Sequence, residues 1–195
     1  MKAFGPQGSE RARKERRMKA GDLHPGLRAP LESCQAVRRD LEVLLATLGA
    51  RDWNKRAGRD TWTVAQSFDH LLRAEIGTSK MARRLIRGDY AGVVRPKDAR
   101  LYDSRLDAYP YGRYPAPAIL VPQTLLLEEA PGRFEAAHRR FVAELGLFSG
   151  PDPDALASED PDTGLWFTLS GWVRLQGLHE AHHLKQIRAL LGDPR

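Results

Sequence analysis

The chain has 195 residues, enough for one domain with a substantial core. Its residues are 29% charged and no apolar run is long enough to span a bilayer, so no membrane partner is expected. The net charge of +6 is uneven: residues 1–20 hold seven basic and two acidic side chains, which leaves only +1 for the rest and sets nucleic acid aside as a partner of the domain.

Residues 1–25 read as a basic, solvated N-terminal extension, and residues 26–195 as the folded domain. The opening MKAFGPQGSERARKERRMKA lacks the apolar stretch of a signal peptide. Cys34 is the single cysteine, so there is no internal disulfide and no thiolate metal cage. A cytoplasmic protein is the expectation.

The first helix is predicted from Pro30 to Leu48, with Leu31, Cys34, Val37, Leu41, Leu44, Leu45 and Leu48 on one apolar stripe and Gly49 as its stop. The second opens at Thr61 to Thr63, where a hydroxyl can cap it, and runs to Gly88. It carries Val64, Phe68, Leu71, Leu72 and Ile76. A third is predicted over 122–147, with Pro131-Gly132 as a kink or break. The fourth begins near Ser170 and ends at Gly192. No segment alternates clearly enough to be a strand. Four amphipathic helices around one core make an all-α four-helix bundle with long crossover connections at about 89–121 and 148–168. Connections of that length are often functional. The first contains all five tyrosines, Tyr90, Tyr102, Tyr109, Tyr111 and Tyr114, beside Arg95, Lys97, Arg100, Arg105 and Arg113.

The run LHEAHHLKQI on the fourth helix carries the chemistry. His179 and His183 are four residues apart, so on a helix their imidazoles point the same way, one turn apart. Trp172, Leu175, His179, His183, Gln186 and Leu190 share an inward stripe. Two unpaired imidazoles in a core are costly, and a metal ion would satisfy both. A third ligand must come from another helix. His70, mid-helix between Ser67 and Ala74, is the favoured candidate, and His138 on the third helix competes. His24 and His182 are read as solvent-facing, and Trp62 and Trp172 as core residues near helix starts.

The ordered set WTVAQSFDHLLRAE, a long gap, then GLWFTLSGWVRLQGLHEAHHLKQI resembles the DinB-like (DinB/YfiT) superfamily over about residues 27–193. Members are metal-binding four-helix bundles. The resemblance carries the family's metal ligands onto His70, His179 and His183. It implies a divalent ion, zinc or nickel, as cofactor. It further implies a low-molecular-weight thiol as co-substrate and a small-molecule electrophile as partner. A homodimer is left open.

HEAHH also satisfies the HExxH pattern of zinc proteases. The resemblance tells against that chemistry, which needs Glu180 in the cleft as general base: Glu180 lies about 100° round the helix from His179, and the superfamily's helix has variable residues at that place. The protease reading is therefore set aside. With three neutral imidazoles, the ion keeps its full charge and can acidify a water or hold a thiol as thiolate. The preferred reading is a metal-dependent thiol S-transferase. The alternatives are a metal-dependent hydrolase and a metal- or ligand-binding protein without turnover.

Overall fold

A computed structural model describes residues 23–110 and 115–192. Most of the 1–25 extension, residues 1–22, lies outside the described residues, as do Tyr111, Arg113 and Tyr114 of the tyrosine-rich connection.

Four long helices carry the fold: α1 (Pro25–Thr47), α3 (Val64–Ile86), α4 (Ala130–Leu145) and α5 (Leu169–Leu191), with a single turn, α2 (Ala50–Trp53), after α1. The first starts five residues earlier than the periodicity suggests. Pro25 sits in its first turn, where a missing N–H costs nothing, and His24 Nδ1 accepts from Gly26 N at 3.1 Å. Pro30 lies inside the helix. Helix α3 opens on a capping box: Thr63 Oγ1 accepts from Gln66 N, and Gln66 Oε1 accepts from Thr63 N. Helix α5 ends on Gly192 in the left-handed region, φ 84°, which glycine adopts without a Cβ clash.

The third predicted helix is shorter than expected, because residues 122–129 are not helical. Pro131 and Gly132 lie in the first turn of α4 instead of breaking it. The segment before them takes tertiary partners. Asp69 Oδ2 accepts from Gln123 N at 2.7 Å, and Trp53 Nε1 donates to Leu125 O at 3.0 Å.

The absence of strands needs correction too. The long connections contribute β1 (Leu101–Tyr102), β2 (Ala157–Glu159) and β3 (Trp166–Thr168), ordered β1-β3-β2. The β1–β3 pair is parallel and the β2–β3 pair antiparallel. Strands of two or three residues are too short for alternation to show in the sequence. All three residues of β3 are buried, and Tyr102 stacks on Phe167 at 5.1 Å.

Two glycines let elements approach α5 closely. A Cβ on Gly177 would stand 2.9 Å from Cys34 Cα of α1, and one on Gly171 would stand 2.3 Å from the Tyr102 carbonyl oxygen. Cys34 is fully buried, and burial raises its thiol well above its usual range.

The apolar core falls into two clusters. One gathers Leu27, Leu31, Phe141, Phe167 and Val173; the other Leu41, Phe68, Leu71, Phe134 and Ile187. Between them in sequence, on every long helix, stands a polar side chain: Arg38, Glu75, His138 and Glu180. Arg38 Nη2 lies 2.8 Å from Glu75 Oε2 and also bonds Glu180 Oε1. Glu75 Oε1 meets His138 Nδ1 at 2.9 Å, and Gln176 Nε2 donates to Glu180 Oε1 at 2.8 Å. Arg38, Glu75 and Glu180 are at most 2% exposed. No described helix is long and apolar enough to cross a membrane.

Candidate metal centre

Antiparallel packing of α3 on α5 brings His70 against the second half of α5. His70, His179 and His183 each offer one ligand nitrogen, and these atoms lie within 4.8 Å of one another. The His70 and His179 Nε2 atoms are 3.0 Å apart. All three side chains are buried. Thus the two imidazoles one turn apart on α5 meet the favoured third from α3.

The tautomer of His70 follows from its outer contact. Nδ1 lies 2.9 Å from the Leu120 carbonyl oxygen, which can only accept, so Nδ1 carries the proton. The Nε2 lone pair therefore points at the other two rings. Asp69 supports this arrangement by holding Gln123 N, three residues beyond that carbonyl. Arg73 Nε in turn donates to Asp69 Oδ2 at 2.6 Å. An oriented outer partner is the usual companion of a metal-binding imidazole.

Burial is the largest influence on all three rings and disfavours their charged forms. His179 lies well below the ordinary histidine range, held there further by His183, His70 and His182. His183 is pushed down to about 3. Neutral rings are what a cation requires, and His183 Nδ1 is buried with no hydrogen-bond partner among the described residues. The donor set thus fits a divalent ion of the zinc class. Because depressed pKa values keep protons off the three rings, an ion bound there should be retained below pH 6.5, unlike one held by exposed histidines. Metal content after dialysis across that range checks this. Release centred near pH 6.5 would show ordinary, solvated imidazoles.

The other sequence candidates fall elsewhere. His138 is partly buried against Glu75 and takes no part in the triad. His182 is half-buried instead of solvent-facing; its Nε2 accepts from Gln186 Nε2 at 2.9 Å, and Tyr109 stacks on its ring at 4.9 Å. Gln186 is exposed at the cavity mouth, so the inward stripe does not extend to it. Its side chain bonds His182 and also reaches His183. Glu180 points away from the triad into the buried Arg38 cluster, which leaves the HExxH match without its base.

Trp62 is the clearest revision. It is half-buried and covers the site, 4.8 Å from the His70 ring and 6.5 Å from that of His183. Preceding the cap Thr63 by one residue, it lies outside the helix and is free to fold over the histidines. Tyr109 stacks on His179 at 5.4 Å. Burial pushes its phenol up to about 12, so it remains a donor. Of the basic residues in the same connection, Arg105 pairs with Asp103 and Arg100 lies over Tyr102. Arg95 bonds the Ala99 carbonyl. None of the three lines the cavity.

That cavity, of about 680 Å³, starts at the triad and runs between α3 and α5. A second hollow of about 740 Å³ beside α2 and residues 122–128 holds no histidine. Neither a curated protein nor a solved structure matches the chain. The sequence profile of one family does match, over residues 34–187, a span that includes all three histidines, the whole of α3 and α4, and most of α1 and α5. On that match and this architecture, the chain belongs to the DinB superfamily.

Proposed function

We propose that this protein is a divalent-metal-dependent S-transferase that joins a low-molecular-weight thiol to an electrophilic small molecule. The observation that carries the reading is the convergence of three buried, neutral imidazoles at one end of a cavity large enough for both reactants. His70, His179 and His183 would hold zinc or nickel. When bound, such an ion supplies a Lewis-acid centre that favours the thiolate over the thiol at neutral pH.

The chain's own residues do the rest. The Leu120 carbonyl holds His70 in register, and Trp62 and Tyr109 shield the triad from bulk water. The thiol gives its proton to solvent. Its sulfur then forms a bond to the electrophilic carbon, whose leaving group departs with the bonding electrons. Tyr109, as a neutral phenol, can donate a hydrogen bond to the charge on that group. A reducing cytoplasm, which keeps small thiols and the lone Cys34 reduced, suits this chemistry.

The test is titration of cobalt-substituted protein with mercaptoethanol. The expected result is a new sulfur-to-metal absorption band, and an apparent thiol pKa well below the usual value of about 8.5. An unchanged spectrum across a panel of small thiols would contradict the transferase and favour a binding protein without turnover.

A further inference from the structure

The cavity is a trough much longer than its metal end requires. On α3 it is lined by His70, Ala74, Gly77, Thr78, Met81 and Arg84, a stripe of four turns. At 1.5 Å rise per residue, His70 to Arg84 spans roughly 21 Å. Helix α5 supplies a matching stripe from Trp172 to Gln186.

Gly77 marks the middle of that floor. A glycine inside a helix is destabilising relative to alanine, so it calls for a reason. Gly171 and Gly177 have one, since a Cβ at either would collide with a packed element. A Cβ at Gly77 would meet nothing within 4 Å. The space it leaves belongs to the cavity.

Beyond Gly77 the α3 wall turns basic. Lys80 and Arg84 lie one turn apart on the same shoulder of the helix, and both line the trough. Lys80 has no ion pair or hydrogen bond among the described residues. Arg84 lies over the Tyr90 ring and 3.7 Å from Asp89. The opposite wall is acidic. There the β2–β3 turn brings Asp160 and Asp162, with Asp160 accepting from Thr163 Oγ1 at 2.8 Å. An anion entering this end is drawn to α3 and repelled by the turn.

We propose that the trough binds an elongated ligand whose chain crosses Gly77 and whose far end is a carboxylate or similar anion held by Lys80 and Arg84. This deepens the proposed function and rests on it: the near end is the group presented to the three histidines.

Cobalt-loaded protein titrated with mercaptopropionate, mercaptoundecanoate and mercaptoundecanol tests the idea by absorption spectroscopy. The long carboxylate should bind about fivefold tighter than the long alcohol, the modest gain of partly solvated ion pairs. Lys80→Gln with Arg84→Gln should erase that advantage. Gly77→Leu, which favours the helix, should weaken the long chains more than the short one. Equal affinity of the long acid and alcohol, or an advantage that survives the double substitution, overturns the proposal. So does an indifferent Gly77→Leu. Chains of the same lengths ending in hydroxamate, a metal-binding group that is not a thiol, separate the two readings. If they show the acid preference while thiols leave the spectrum unchanged, the subsite stands and the thiol reading fails. If neither series perturbs cobalt, both fail.

Discussion

Arg38→Ala will destabilise the domain by roughly 3–5 kcal/mol, the usual cost of breaking a buried ion pair from one side. Arg38 is 2% exposed and is the cation between Glu75 and Glu180. Its guanidinium also lies 4.8 Å from the centre of the Phe134 ring. Truncation leaves two carboxylates facing each other in the middle of the bundle, where water cannot reach them. At roughly 2–4 °C per kcal/mol for a domain of this size, Tm should fall by about 6–20 °C. Arg139→Ala, which removes an exposed partner of Glu135, should stay within about 0.5 kcal/mol. A loss of only a few degrees in Arg38→Ala would mean that the cluster is solvated.

His179→Ala should lower metal affinity by more than about 100-fold. His179 Nε2 lies against His70 Nε2 in a buried site, and no fourth His, Cys, Asp or Glu joins the group among the described residues. His183→Ala and His70→Ala should act alike. Asp69 is not itself a member of the triad. Asp69→Ala frees Gln123 N and with it the chain that places the Leu120 carbonyl, so a loss on the order of tenfold is expected, as for other outer partners. His138→Ala should keep its metal. Competition with a chromogenic chelator measures all five. Full retention in His179→Ala would remove the assignment, and a large loss in His138→Ala would move it.

How much of this was legible depended on whether the signal was local. The pairing of His179 with His183 follows from helix geometry alone, and the phase of α3 places His70 on the inward face. Gly192 and the capping hydroxyls at Thr61 to Thr63 mark helix ends that the structure keeps, with Thr63 as the cap. Trp62 was read as core because an aromatic at a helix start usually packs there. Only the fold shows that it lies over His70. Composition flags the group of five tyrosines but does not separate Tyr109 from the other four.

The buried charges were less legible. A stripe search that counts only apolar residues passes over Arg38, although it stands four after Cys34 and three before Leu41, in phase with both. Its partners come from α3 and α5, and no sequence window contains all three. The arginines of the tyrosine-rich connection misled for the opposite reason. They are abundant, yet Arg95, Arg100 and Arg105 find partners within their own loop. Among the described residues, the cations that reach the cavity are on α3, where Lys80 and Arg84 look like an ordinary solvated face. The 122–129 stretch has helical composition but gives its backbone groups to Asp69 and Trp53.

X-ray absorption at the metal edge of the zinc-loaded, full-length protein tests the central claim most directly. The account predicts three imidazole nitrogens around one ion per chain, with the imidazole signal reduced in any form of His70→Ala, His179→Ala or His183→Ala that still binds. A coordination shell made mainly of oxygen, or a three-imidazole signal that survives one of those substitutions, would contradict it.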